Sequence, residues 1–213
     1  MIANEAEARA WLEQLPEWDH AARERLEALV AMLAEENLRQ NLVSAASLEA
    51  VWQRHVADSA QLLGHVPRET ALAWLDLGSG AGFPGLVISA LRPEWPVTLV
   101  ESRSRRAEWL ERARSALGLE RVEVVGARLE TVPQRHFSVI SARAFAPLPR
   151  LVALSARFST SATRWLLPKG RSATQELQDL DGWRHMFHVE QSLTDPQAGI
   201  IVGQLLGMKG KSG

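Results

Sequence analysis

Two patterns of apolar and polar positions meet near residue 70. Before it, residues 5–64 follow a helical rhythm. Ala, Glu, Leu and Arg dominate, and Leu26, Leu29, Val30 and Leu33 recur at spacings that share one helix face. Pro16 separates a short first helix from a longer second one. A polar loop at 37–47 breaks the rhythm. Ser47 is expected to cap a third helix, with Ala50, Val51, Val56, Leu62 and Leu63 among its apolar positions. Pro67 closes the region.

From residue 71 short apolar runs alternate with helical stretches. Ala73–Leu77, Val97–Val100, Val122–Val125, Ser138–Ala142 and Arg164–Leu167 read as strands, with helices near 84–91, 104–117, 147–157 and 174–180 between them. This alternation predicts a doubly wound parallel sheet. Met186–Glu190 and Ile200–Leu206 add two strands joined by a turn near Asp195-Pro196, an antiparallel hairpin at one sheet edge. The expected fold is α/β: a seven-stranded Rossmann-like sheet over 71–207, a helical N-terminal appendage over 1–70, and a frayed tail over 208–213. A hairpin-ended sheet fits the class I methyltransferases better than a dinucleotide-binding domain, which more often ends on parallel strands.

With 46% hydrophobic residues the chain can bury a sizeable core, which excludes a disordered chain. Absence of cysteine excludes disulfides, thiolate metal sites and cysteine nucleophiles, and fits a reducing compartment. The N-terminus has no basic stretch followed by an apolar one, and no apolar run is long enough to span a bilayer. A cytoplasmic location is expected. The net charge of −1 hides an asymmetry. Residues 1–70 carry 6 basic and 12 acidic side chains, whereas residues 101–171 carry 14 basic and 6 acidic, thirteen of the basic ones Arg. Such a block is either a set of solvated helix faces or a surface for an anionic partner such as nucleic acid. Arg, with its planar fork, favours the second reading. His185 and His188, three apart in a strand, point to opposite faces, and no metal site is expected.

The chemistry centres on Trp74-Leu75-Asp76-Leu77-Gly78-Ser79-Gly80-Ala81-Gly82-Phe83-Pro84-Gly85. Gly78, Gly80 and Gly82 lie between a strand and a helix, where glycine permits positive φ and close backbone approach to a ligand. Two frames compete. From Gly80 the string matches the dinucleotide pattern G-x-G-x-x-G. From Asp76 it is an acid followed by G-x-G-x-G, which suits S-adenosylmethionine. That cofactor has no phosphate to be repelled by a carboxylate, and its sulfonium and ammonium groups would be attracted by Asp76. Glu101 closes the second strand, 21 residues after Gly80, where a carboxylate can accept from both ribose hydroxyls of either cofactor. Leu129-Glu130 follows the third strand, a place where methyltransferase sheets border the adenine ring.

Absent features narrow the acceptor. Without cysteine, covalent attack on pyrimidine carbon 6 is impossible. After the fourth strand the chain reads Ser141-Ala142-Arg143-Ala144-Phe145, not the N-P-P-Y type motif that holds an exocyclic amine. An atom with a free lone pair, such as guanine N7, needs positioning rather than a general base. Arg143 and Lys169, at the ends of the fourth and fifth strands, are candidates to hold phosphates or guanine O6.

The chain resembles the bacterial small-subunit rRNA guanine-N7 methyltransferases, the methyltransferase G or glucose-inhibited division protein B family. The likeness covers roughly residues 25–206. It rests on Asn41-Leu42, Arg54-His55-Val56-Ala57-Asp58-Ser59, the glycine string through Phe83-Pro84-Gly85, Ser141-Ala142-Arg143-Ala144-Phe145, and Pro168-Lys169-Gly170. The resemblance implies N7 methylation of one guanine of 16S rRNA near the decoding centre, as free rRNA or in a small-subunit particle. It also implies cofactor contacts at Gly78, Phe83, Leu129, Glu130 and Arg143. His55 and Asp58 share a helix face. They are expected to line the rRNA-facing mouth, the alternative being a polar pair that docks the appendage. Other readings of the chain are a methyltransferase for a protein or small molecule, a NAD-dependent oxidoreductase, and a ribosome-associated module with a relic cofactor site.

Overall fold

Two short polar side chains fix where the first helices begin. In the computed structural model, which describes residues 1–69 and 71–210, the Asn4 side chain accepts from Glu7 N and starts α1 (Glu5–Leu12). Asp19 does the same through Ala22 N for α2 (His20–Asn37). The third helix starts earlier than the sequence predicts. Ser44, in extended backbone, caps α3 (Ala45–Glu49) by accepting from Ser47 N, so Ser47 lies inside the helix. The chain then runs through a π-helical stretch (Trp52–Ala57), α4 (Asp58–Ala60) and a 3-10 turn (Gln61–His65). Glu5 reaches across to accept from Trp52 N (3.1 Å) and Gln53 N (2.7 Å), tying α1 to the start of that stretch.

The α/β part contains β1 (Trp74–Leu77), α5 (Gly85–Leu91), β2 (Val97–Val100), α6 (Ser104–Ala116), β3 (Val122–Val125), β4 (Val139–Ala142), α7 (Leu148–Ser155), β5 (Arg164–Gly170), α8 (Ala173–Gln178), β6 (Trp183–His185), β7 (His188–Gln191) and β8 (Gly199–Met208). The strand order is β3-β2-β1-β4-β5-β8-β6, with β7 also on β8. The five strands β1 to β5 are mutually parallel, and β8 runs antiparallel to β5. The expected outer strand Met186–Glu190 is replaced by β6 and β7, which lie end to end along the free side of β8. They break at Met186, whose N–H still reaches Gln204 O (2.9 Å). The break faces Gly203, at φ +149°, where a Cβ would lie 2.4 Å from Met186 O. Eight strands therefore fill seven positions of the doubly wound sheet. Met208, expected to be frayed, ends β8 paired with Trp183; Lys211, Ser212 and Gly213 of the expected tail lie outside the described residues.

Alternate residues of the strands feed two cores. Trp74, Val97, Leu99 and Val139 pack with α5, α6 and the N-terminal helices, including Leu26, Leu29, Leu33 and Trp52. Leu75, Leu77, Ile140 and Trp165 pack with α7 on the other face. The appendage thus shares one continuous core with the sheet. No helix among the described residues is long and apolar enough to cross a membrane.

Candidate functional site

The parallel strands end on one side of the sheet, and their following loops build the site, as expected for an open α/β sheet. After β1 the backbone turns at three left-handed glycines: Gly78 (φ +64°), Gly80 (φ +56°) and Gly82 (φ +101°). The reasons for glycine differ. At Gly78 a Cβ would sit 2.5 Å from Cδ2 of Phe145, and at Gly82 it would meet Leu86 Cδ1 at 2.3 Å. At Gly80 the nearest atom is 3.6 Å away, so backbone conformation, not crowding, requires glycine.

Asp76 is not where the sequence reading puts it. Its side chain has no exposure and lines neither cavity described below. Oδ1 accepts from Ser141 Oγ (2.7 Å), which itself accepts from the Trp74 indole N–H (2.8 Å). Oδ2 accepts from Gly85 N (3.2 Å), the first residue of α5. The carboxylate therefore braces the glycine loop from behind instead of meeting a sulfonium or ammonium group. Burial raises its pKa to about 6, against the lowering pull of the Ser141, Ser79 and Gly85 hydrogen bonds.

Two cavities open beside the loop. One, of about 620 Å³, lies against Gly78, Glu101, Leu129 and Glu130. Glu101 closes β2 with its carboxylate held by two backbone donors, Gly80 N at 3.0 Å and Arg103 N at 2.8 Å. Each oxygen keeps a lone pair for a ribose hydroxyl. Leu129 is buried and its carbonyl is pinned by Arg157 Nη2 (2.5 Å), while Glu130 is exposed. The shape and chemistry fit an adenosyl group: a glycine floor, an oriented acid and an apolar rim.

The second cavity, of about 680 Å³, is lined by Arg54, His55, Asp58, Arg143, Lys169, Ser192 and Thr194, among others. Ala144, Phe145, Ala146 and Pro147 line both cavities and form the wall between them. Ala144 holds φ +52°, a left-handed conformation rare for a residue with a side chain, at that wall. Phe145, unassigned in the sequence reading, covers Gly78 from this wall.

Arg143 is the hub of the second cavity. Its Nη1 donates to Arg54 O (3.1 Å) and lies 3.6 Å from Asp58 Oδ2, and its Nη2 meets His55 Nδ1 at 2.9 Å. Because a guanidinium only donates, His55 Nδ1 must be the acceptor and the ring neutral. Burial first, then the charges of Arg143 and Arg54, lower the His55 pKa to about 3. The His55 ring stacks on Phe83 at 4.8 Å and 17°, with Arg143 over the same ring at 5.3 Å. Phe83 is buried, lines neither cavity, and forms a platform for His55 and Arg143. Asp58 Oδ1 accepts from Thr194 Oγ1 (2.7 Å) and Gln61 Nε2 (2.9 Å). His55 and Asp58 thus both line the cavity and dock the appendage, Asp58 to the β7–β8 loop through Thr194 and His55 to Arg143 and Phe83.

Lys169 is committed to the protein. Its Nζ donates to Ala146 O (2.6 Å) and pairs with Glu176 Oε2 (2.8 Å), which accepts from Leu148 N (2.8 Å). The side chain is 7% exposed. It fixes the dividing wall and the start of α7 from within the second cavity. Glu176 had no signal in the sequence, since it meets Leu148 only through the fold.

These titrations give opposite pH effects. His55 is depressed from 6.5 to about 3, so the unfolded chain takes up a proton that the folded one refuses, and stability falls as pH drops through that window. Asp76 is raised from 3.8 to about 6, so between those values the folded chain holds the extra proton and stability rises as pH drops. Relative to wild type, His55→Phe is expected to lose stability less on acidification from pH 6.5 to 4. Asp76→Asn is expected to lose it more. Urea titrations across that range check both, each effect being at most about 1.4 kcal/mol per pH unit. Parallel curves for wild type and both variants would remove these assignments.

A family model described as rRNA small subunit methyltransferase G matches residues 22–195. The chain belongs to this family. Ribosomal RNA small subunit methyltransferase G of Erythrobacter litoralis is 62% identical, covering 96% of this chain and 98% of that protein. The protein of the same description from Novosphingobium aromaticivorans is 58% identical, covering 98% and 91%. Among solved structures, a MtNAS variant in complex with S-adenosylmethionine has a TM-score of 0.58 at 17% identity, covering 96% of this chain and 84% of that one. A SAM-dependent methyltransferase from Aquifex aeolicus also has a TM-score of 0.58, at 13% identity, covering 83% and 98%. At such identities these structures speak to the fold, which is the class I methyltransferase sheet. With the family, they make the chain an S-adenosylmethionine-dependent methyltransferase and set aside the oxidoreductase frame that starts at Gly80.

Proposed function

We propose that this protein methylates N7 of one guanine in 16S rRNA near the decoding centre, on free rRNA or a small-subunit particle in the cytoplasm. The observation that carries the reading is the pair of cavities meeting at the Ala144–Pro147 wall, with Arg143 in the second cavity, next in sequence to that wall. S-adenosylmethionine, when bound, supplies a methyl group on a positively charged sulfur. Gly78, Glu101, Leu129 and Glu130 are the residues that would hold it, with Asp76 bracing the loop. On the acceptor side Arg143 is already oriented by Arg54 O, Asp58 and His55. Its remaining donors suit guanine O6, which leaves the adjacent N7 lone pair free to attack.

That attack forms one N–C bond as the S–C bond breaks, and the guanine gains the positive charge that the sulfur loses. No proton leaves the base, so no general base is required. A His55 that stays neutral down to pH of about 3 fits a positioning role. The test is transfer of labelled methyl to 30S subunits or naked 16S rRNA lacking N7 modification, mapped by cleavage at N7-methylguanine. A single labelled guanine is expected. Label on protein, or none on rRNA, would overturn the reading.

A further inference from the structure

A third cavity, of about 660 Å³, adjoins the cofactor cavity through Ser102, Arg103 and Arg106. Its remaining lining comes from Arg39, Gln40, Asn41, Ser104 and Arg105, so four arginines converge with no acidic residue among them. Several arginines elsewhere face acids: Arg92 meets Glu17 and Glu94, Arg112 meets Glu36, Arg114 meets Glu111, and Arg135 meets Glu123. Arg103, Arg105 and Arg106 make no ion pair among the described residues, and Arg39 reaches Glu36 only at 3.8 Å. These unpaired cations sit at the start of α6, whose first turn holds no acidic residue and whose N-cap makes no side-chain bond. Positive charge there opposes the helix dipole, a local cost offset within the described residues only by the single carboxylate of Glu101 on Arg103 N.

We propose that this groove binds the phosphate backbone of the RNA substrate, beside the cofactor cavity and on the side away from the acceptor cavity. The inference rests on the rRNA reading of the site. All four cations are Arg, whose fork pairs with phosphate oxygens through two parallel bonds. The other lining residues are Gln, Asn and Ser, with no apolar side chain to seat a peptide helix or enter a lipid layer. The three cavities are contiguous, with the cofactor cavity in the middle. A strand gripped at Arg39 and Arg105 would therefore pass the cofactor mouth before placing its guanine beside Arg143.

Arg39 and Arg105 do not line the cofactor cavity, and they carry the test. Binding of an unmodified 16S rRNA transcript is measured by filter retention over a range of salt, for wild type, Arg39→Gln/Arg105→Gln, and a control Arg121→Gln/Arg184→Gln. The control removes equal charge from exposed positions outside the groove. Loss of two phosphate contacts is expected to flatten the slope of log K against log salt by about 1.4, and to weaken binding about tenfold at low salt. S-adenosylmethionine affinity by calorimetry should be unchanged. An unaltered slope, an equal change in the control, or a loss confined to anionic phosphatidylglycerol vesicles would overturn the proposal. Wild-type enzyme that fails to label rRNA would instead overturn the functional reading, which this binding comparison does not measure.

Discussion

Arg143→Ala is expected to lower methyl transfer by about 10²–10³-fold, the usual loss when a preorganised donor at a reacting centre is removed. Three groups aim this guanidinium: Arg54 O, Asp58 and His55. Burial disfavours its charge, and the carboxylates of Asp58 and Asp76 counter that. The side chain lines the acceptor cavity, next in sequence to the wall that divides it from the cofactor cavity. Removing the side chain leaves Asp58 with Thr194 and Gln61, so the fold keeps most of its local bonds. The stability loss should be about 1–3 kcal/mol, from the unpaired acceptor at His55 and the lost ion pair. Single-turnover methylation and thermal melting separate the two effects. Arg143→Lys retains the charge but not the fork and should recover little. Turnover within a few-fold of wild type in Arg143→Ala would remove the residue from the chemistry.

Gly78→Val should abolish measurable cofactor binding, raising the dissociation constant more than about 100-fold. Two costs combine. A side chain at φ +64° strains the backbone by about 1–2 kcal/mol. Its Cβ would also lie 2.5 Å from the Phe145 ring, which forms part of the wall between donor and acceptor cavities. The ring must swing away or the loop must shift, and both deform the floor of the cofactor cavity. Gly118 gives the control, because its φ of +63° is nearly the same but no atom lies within 4 Å of the added Cβ. Gly118→Ala should cost stability alone, leaving calorimetric affinity for S-adenosylmethionine intact. Equal loss of affinity in both variants would show that strain, not crowding at the wall, is the cause.

Much of this was legible in the sequence. The strands are short apolar runs bounded by turn residues, and strand–helix alternation makes the sheet parallel, though its strand order appears only in the fold. The glycine string exposes its function because positive φ and a missing Cβ are local needs that residue type records directly. Arg143 was legible as a residue at a strand end, where such sheets bind ligands. Ser47 was misread for a local reason: Ser44 offers the same cap three residues earlier, and only the backbone decides between them.

The sequence by itself determined the doubly wound sheet, the glycine loop, the acid at Glu101 and the excess of Arg after residue 100. Each depends on periodicity or on the chemistry of one residue type. Only the tertiary structure decided which polar groups face a cavity and which are consumed within the chain. It turned Asp76 inward to Ser141 and Gly85, spent Lys169 on Ala146 and Glu176, and slid Phe83 beneath His55. Those partners lie from a few to more than sixty residues away along the chain. A side chain's free valences depend on which neighbours packing brings within about 3 Å, and no local pattern encodes that distance.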